Sequence, residues 1–512
     1  MRQESGPKDL VLATRETARA RGSDPGGVAE RLANFSRALR PIVGYLLLPN
    51  LVFAALARFN YAVRPLVNLD YIGLGLLAPF VGRATTVAMY AILLLLDLVA
   101  TFAPAYHMHF AEALRSVGNL VHLNAQFAFP FTFLIIAVAV AFAVLATAAS
   151  GAAREGVLIQ RWVLVSLALV FAVADLVGGT NRYSFSRTAV VPINVATSAV
   201  ARTVLAVKHT FLERRGTDRG GQKVRSATSP LLDSLLPGSV APGDSTSPNV
   251  AVIIVESLGL FVSDSANAVL RSPFLGPQIR HRYTVNVGDV PFEGSTTSAE
   301  FRELCGMRMD FQEATPPALE ACLPSYFASH GFHTVAIHGF TRMFFDRQRW
   351  YPMLGFQELI FAEDSALQET RKCGMVFRGV CDTDAGRLVA DRLRAHGSHT
   401  KQFIYWLTLN SHLPVDEESA EGSTLDCATL SEGFRHNDVC ILMRLLYLID
   451  STVARIAADP ALPPTRFFIV GDHTPPFIVR SKRDLFVTGR VPFVELSPRV
   501  SKIISPRFSK IR

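Results

Sequence analysis

Apolar residues crowd into the first third of the chain and arrive there in blocks. Residues 1–40 form a polar, Arg-rich tail with no long apolar core and no small-residue cleavage site, which argues against a cleaved secretory signal. From Ile42 the blocks run over about 42–58, 66–82, 84–104, 127–149 and 160–178. Each comes near the ~20 residues a helix needs to cross hydrocarbon. The pattern predicts a multi-span α-helical membrane domain over 41–180 with about five transmembrane helices. Pro49 and Asn50 interrupt the first block and Asp70 the second, so a count of four stays open. A carboxylate deep in a span is costly, and Asp70, Asp97 and Asp175 are read as lying near the headgroups.

The Lys/Arg bias of the short loops orients these spans. Arg15, Arg19, Arg21, Arg31, Arg37 and Arg40 lie in the tail, and Arg83, Arg154 and Arg161 in loops on the same side. The alternate loops carry Arg58, Arg64 and Arg115. The basic side is cytoplasmic, so five spans place the chain beyond about residue 180 outside.

The pattern then changes. Residues 181–248 read as a linker, with a helix near 189–215 followed by a Ser/Pro/Gly-rich stretch. Residues 249–512 suffice for one large α/β domain. In that region, short apolar runs rich in β-branched and aromatic residues stop abruptly at a polar residue. One ends at Glu256, one at His338, one at Asn410-Ser411-His412 and one at Gly471-Asp472-His473. Continuous apolar strands of this kind predict a mostly parallel central sheet covered on both faces. Ligands bind such sheets beyond the carboxyl ends of the strands. A single polar strand end is commonly a turn or a cap. Four of them offering Glu, Asp and His suit a divalent cation such as Mn²⁺ or Zn²⁺.

The segment Gly294-Ser-Thr-Thr-Ser-Ala-Glu-Phe supplies a nucleophile candidate. Thr297 followed by Glu300 fits a capping box, which starts a helix whose N-terminus attracts phosphate. A nearby cation would lower the pKa of a Thr hydroxyl there. Asp382 and Asp384 read as helix caps.

Composition narrows the class. Of 512 residues, 49% are hydrophobic and 18% charged, against about 25% charged in soluble chains. The net charge of +8 is dispersed, with no zinc-finger or basic-zipper pattern, so anionic lipid rather than nucleic acid explains it. All six cysteines lie in the second half, as an oxidising compartment favours. Their spacing suggests Cys305–Cys322, Cys373–Cys381 and Cys427–Cys440, among the roughly fifteen pairings six cysteines allow. The absence of Cys-x-x-Cys speaks against a zinc cluster.

Together these motifs resemble the alkaline phosphatase/sulfatase superfamily. The resemblance is strongest to membrane-bound phosphoglycerol transferases typified by lipoteichoic acid synthase, with phosphoethanolamine transferases as cousins. It implies an alkaline phosphatase-like fold in which Glu256, Thr296, Asp472 and His473 hold one cation. Thr296 is the implied nucleophile, four residues before Glu300-Phe301, with Thr297 one position away as the alternative. His412 matches the family histidine that binds phosphate or protonates the leaving alcohol, and His338, Phe345 and Arg347 match headgroup contacts. Cys322-Leu-Pro-Ser-Tyr resembles the sulfatase formylglycine signature, but Tyr326 stands where Arg is required. The implied partners are a phospholipid donor, phosphatidylglycerol or phosphatidylethanolamine, and a glycan or glycolipid acceptor. The implied location is a bacterial cytoplasmic membrane with the catalytic domain extracytoplasmic. A membrane-tethered phosphodiesterase and a non-catalytic membrane scaffold are the alternatives.

Overall fold

A computed structural model describes residues 42–59, 67–103, 117–122, 229–235 and 247–499, with single residues and short pieces elsewhere between 29 and 204. Within 247–499 the description omits 310, 316–318, 320–321, 396–399, 431–433, 435 and 478.

Three helices carry the first apolar blocks: α1 (Leu48–Phe59), entered through a π-helical turn at Val43–Leu47, α2 (Leu69–Leu77) and α3 (Arg83–Phe102). They pack through Tyr45, Tyr71 and Tyr90, with the Tyr90 ring 5.9 Å from Tyr45 and 5.5 Å from Tyr71. Leu47, Leu51, Leu77, Phe80, Ile92 and Leu95 leave an apolar exterior, as a lipid-facing surface requires. Among the described residues one helix, Arg83–Thr101, is long and apolar enough to cross a membrane, and Val43–Ala54 is a shorter apolar helix. The block at 127–149 lies outside the described residues, as do Asp175 and most of 160–178.

The block at 66–82 is not a full span. Val67 and Asn68 are extended and pair with Ala196 and Thr197. The Asn68 side chain then caps a helix of only nine residues, about 14 Å long at the usual rise. The Asp70 carboxylate accepts hydrogen bonds from Ser198 Oγ (2.6 Å) and Val200 N (3.0 Å). The start of the helix expected near 189–215 differs: Val190–Pro192 is a strand paired with Arg182–Ser184, and among the described residues of this stretch helical backbone begins at Ala199. Two β-branched residues followed by a proline disfavour helix there.

The second half is built on a seven-stranded sheet. Its strands are β1 (Asn249–Val255), β2 (Tyr283–Pro291), β3 (His333–His338), β4 (Glu358–Ile360), β7 (Gln402–Leu407), β8 (Thr465–Gly471) and β9 (Arg490–Pro498). A separate two-stranded hairpin is formed by β5 (Lys372–Cys373) and β6 (Gly379–Val380). The sheet order is β2-β9-β8-β1-β7-β3-β4. The five strands from β8 to β4 are parallel, and β9 runs antiparallel to both neighbours.

Every residue of β1 is buried, because both faces are covered. Ala251, Ile253 and Val255 face one core with α5 (Asp382–Ala395) and α6 (Asn437–Ala458). Val250, Val252 and Ile254 face a second core containing Phe301 and Leu304 of α4 (Thr296–Cys305). Period-two alternation thus divides one apolar run between two layers. The disulfides Cys305–Cys322, Cys373–Cys381 and Cys427–Cys440 are all formed.

Candidate active site

Strands β1 and β8 are parallel neighbours in register, with Gly471 opposite Val255. The residues that follow, Glu256 and Asp472, therefore leave the sheet side by side. Gly471 is required by this close approach: a Cβ there would lie 1.9 Å from the Leu258 carbonyl oxygen. Asp472 Oδ1 accepts from the backbone N–H groups of Ser257 (2.7 Å) and His473 (2.6 Å). The end of β7 braces Glu256, whose N–H donates to Thr408 Oγ1 (2.9 Å) and whose carbonyl accepts from Ser411 Oγ (2.5 Å).

The third component enters on α4. Gly294 turns the chain at φ +81°, and a Cβ there would meet Ser298 Oγ at 2.3 Å. Thr296 Oγ1 then lies 3.0 Å from Asp472 Oδ2, 3.2 Å from Glu256 Oε2 and 3.3 Å from His473 Nε2. Thr297 points elsewhere, with its hydroxyl 3.1 Å from Ser295 Oγ and 3.4 Å from Glu112 Oε1. The capping box is not formed. Ser295 is the N-cap and its side chain makes no cap bond. Glu300 is instead bound to Arg347 (3.0 Å), Tyr405 Oη (2.9 Å) and Tyr351 Oη, because a buried guanidinium needs a buried counter-charge.

Ligand atoms of Glu256, Asp472 and His473 all lie within 4.8 Å of one another, and all three residues are buried. Burial, and then the negative charge of Glu256, push the Asp472 carboxyl up to about 7. Burial raises Glu256 and lowers His473. His473 Nδ1 donates to the Thr474 carbonyl (3.0 Å), which leaves Nε2 unprotonated and facing the acids. Two crowded carboxylates, one imidazole nitrogen and one hydroxyl form a donor set that a divalent cation fits, and its charge relieves the repulsion.

The remaining expected residues sit around this centre in different ways. His338, at the end of β3, is buried with Nδ1 on the Leu407 carbonyl (3.1 Å), and burial holds it well below its ordinary pKa. His412 donates Nδ1–H to the Leu413 carbonyl (2.7 Å) and lies 3.8 Å, ring to ring, from Phe377. Burial lowers its pKa to about 4, so it is neutral at pH 7. Arg347 gives Nε and Nη2 to Glu300 and Nη1 to the Phe344 carbonyl, and only 2% of it is exposed. Phe345 is buried with its ring 5.4 Å from that guanidinium. Asp382 and Asp384 do not serve as simple caps: Asp382 accepts from Leu409 N and Asn410 N at the end of β7, and Asp384 from Arg371 N.

Four contributors escaped the sequence reading. Arg302 reaches from α4 to the carbonyls of Gly471 (2.9 Å) and Asp472 (3.2 Å). His107, Glu112 and Asn119 come from the segment after α3. His107 Nε2 donates to the Thr474 carbonyl (3.0 Å), Glu112 accepts from Ser295 Oγ, and Asn119 Oδ1 accepts from Phe345 N (3.3 Å). The available signal was the pair His107 and His109 directly behind an apolar block.

Residues 248–494, which contain all four converging side chains, match the family model described as Sulfatase. This match to the sulfatase family spans just under half of the chain. Cys322 is disulfide-bonded to Cys305 and is not a free precursor of formylglycine. Similar solved structures include the lipoteichoic acid synthase LtaP from Listeria monocytogenes, 13% identical over 54% of this chain and 70% of that one, with TM-score 0.38. The Streptococcus pyogenes phosphoglycerol transferase GacH is 17% identical over 49% and 69%, with TM-score 0.35. The integral membrane lipooligosaccharide phosphoethanolamine transferase A from Neisseria meningitidis is 10% identical over 90% and 88%, with TM-score 0.51. That last likeness in fold extends beyond residues 248–494 into the N-terminal half. No curated protein matches the sequence.

Proposed function

We propose that the chain transfers a phospholipid headgroup, phosphoglycerol or phosphoethanolamine, to a hydroxyl of a cell-envelope glycan or glycolipid through a phospho-threonine on Thr296. The convergence of Thr296 Oγ1 on Glu256, Asp472 and His473 supports this most directly. A divalent cation, Mn²⁺ or Zn²⁺, held by those residues supplies Lewis acidity at the phosphoryl oxygen and lowers the pKa of the Thr296 hydroxyl. The first N–H groups of α4 have no side-chain cap and by helix geometry are free to receive a phosphoryl oxygen.

Thr296 Oγ attacks phosphorus, the P–O bond to diacylglycerol breaks, and the proton of the Thr296 hydroxyl passes to the departing alcohol oxygen. The acceptor hydroxyl then attacks the phospho-threonine, the bond from phosphorus to Thr296 Oγ breaks, and the acceptor's proton returns to Thr296. His412 is neutral with Nδ1 committed to Leu413, so its Nε2 suits the role of base toward that hydroxyl. His338 and Phe345 border the same strand ends on the headgroup side, while Arg347 acts through Glu300 and its positive field. The domain lies on the extracytoplasmic face, where its three disulfides persist.

Intact-mass measurement after incubation with phosphatidylglycerol or phosphatidylethanolamine tests the reading. A headgroup-phosphate adduct on wild type that is absent from Thr296→Ala is expected, together with loss of turnover on the order of 10³-fold or more. An adduct that survives Thr296→Ala moves the nucleophile elsewhere.

A further inference from the structure

We infer that His107, from the segment that follows α3, is a positioning residue for the metal centre of the α/β domain, an inference that rests on the cation reading above. The Thr474 carbonyl has two lone pairs and both are used. One accepts Nδ1–H of His473 (3.0 Å), and the other accepts Nε2–H of His107 (3.0 Å). A carbonyl only accepts, so both nitrogens carry protons. The first bond decides which His473 nitrogen faces Glu256, Asp472 and Thr296. The second holds the carbonyl that makes that decision. The outer partner of a metal-ligating histidine fixes its tautomer and ring direction; here that partner is shared with a residue more than 360 positions away.

His107 is itself firmly seated. Its ring lies 5.3 Å from that of His473 and edge-on to Phe292 at 5.2 Å. Met108, the next residue, packs against the core that contains α4. The backbone of His107 is left-handed, at φ +59°. Among the described residues four non-glycines have positive φ: His107, Ser257, Phe345 and Asp346. Ser257 follows Glu256, and the last two precede Arg347. A non-glycine keeps such a conformation only where its surroundings over-determine it, and two of the four, His107 and Ser257, touch this centre directly.

The test uses the full chain in detergent, with Zn²⁺ affinity measured by competition against a chromophoric chelator. Thermal stability of the metal-free forms is read alongside it. His107→Phe keeps a ring and loses the donor; His107→Gln carries an amide N–H as far along the side chain as the ring Nε2. His107→Phe should bind Zn²⁺ about 10- to 100-fold more weakly than wild type. His107→Gln should recover most of that loss, and His281→Ala, a distant surface change, should have no effect. Equal affinity in wild type and His107→Phe overturns the inference while leaving the cation site standing. Equal weakening in His107→Phe and His107→Gln overturns it too, because the donor is then irrelevant. A wild-type chain that binds no Zn²⁺ or Mn²⁺ removes the cation reading itself. Comparing two folded variants keeps the result independent of whether a truncation to alanine folds.

Discussion

Thr296 and Thr297 differ by one position and by everything that touches them. One hydroxyl meets two carboxylates and an imidazole, the other Ser295 and Glu112. No property of the sequence Gly-Ser-Thr-Thr separates them; a helix start shifted by 100° per residue does. Glu256, Asp472 and His473 were readable because each closes an apolar run, where a lone polar residue is conspicuous. The Glu300–Arg347 pair was hidden for the opposite reason: it spans 47 residues and is buried, so each residue looks free in sequence. Asp382 offers a test at this scale. Burial raises its carboxyl to about 7 from an ordinary 3.8, against the lowering effect of two backbone N–H bonds. A group raised in the folded state contributes stability that is complete below its unfolded pKa and is lost as pH climbs through the folded value. Thermal melts should show wild type losing ground to Asp382→Asn between about pH 4 and pH 7, the span of the shift. Parallel curves over that range would place Asp382 at an ordinary pKa.

Among the elements, the long apolar strands β1, β3, β7 and β8 were legible, since burial on both faces leaves a continuous apolar signature. The β5–β6 hairpin was not: its strands have two residues each, too few for any period. The hairpin nevertheless shapes the site. Its Val380 N–H bonds the Gly339 carbonyl just past β3 (2.7 Å), and its tip lays Phe377 on His412 and against Phe340 and Phe344. Only the Cys373–Cys381 bridge, paired from spacing, hinted at it. Replacing both cysteines by serine should cost about 2–3 kcal/mol for so short a loop. Turnover should fall further than in the Cys427→Ser/Cys440→Ser variant, whose bridge secures α6 away from His412. Equal losses, measured as turnover at matched folded fraction, would assign the hairpin a purely structural role.

For the whole molecule, the contacts of His107, Glu112 and Asn119 make the centre a joint product of both halves. Only the His107 and His109 pair hinted at this, because the residues involved lie between apolar blocks and carry no periodicity. The crowding of Glu256 and Asp472 makes the assembled molecule sensitive to cation and pH together. In the metal-free chain, stability falls as pH rises through the raised Asp472 value of about 7. A bound dication offsets that loss. Scanning calorimetry with and without a chelator should therefore show a larger drop in Tm at pH 8 than at pH 5.5, by roughly 2–4 °C for each kcal/mol in a domain of this size. A chelator effect independent of pH would show that the two carboxylates do not bear the metal.

Strand β8 pairs with β1 across more than 200 residues, and Arg302 ties the α4 helix to the same strand end. A ribosome delivers Glu256 and Thr296 long before Asp472 and His473, and domains mature in the order they are made. During synthesis the growing polypeptide thus carries an unfinished centre. The threonine acquires its carboxylate and imidazole neighbours only when the last parallel strand threads into the middle of the sheet. Until β8 is in place, Thr296 lacks two of the three side chains that meet it, so the centre exists only in the closed sheet.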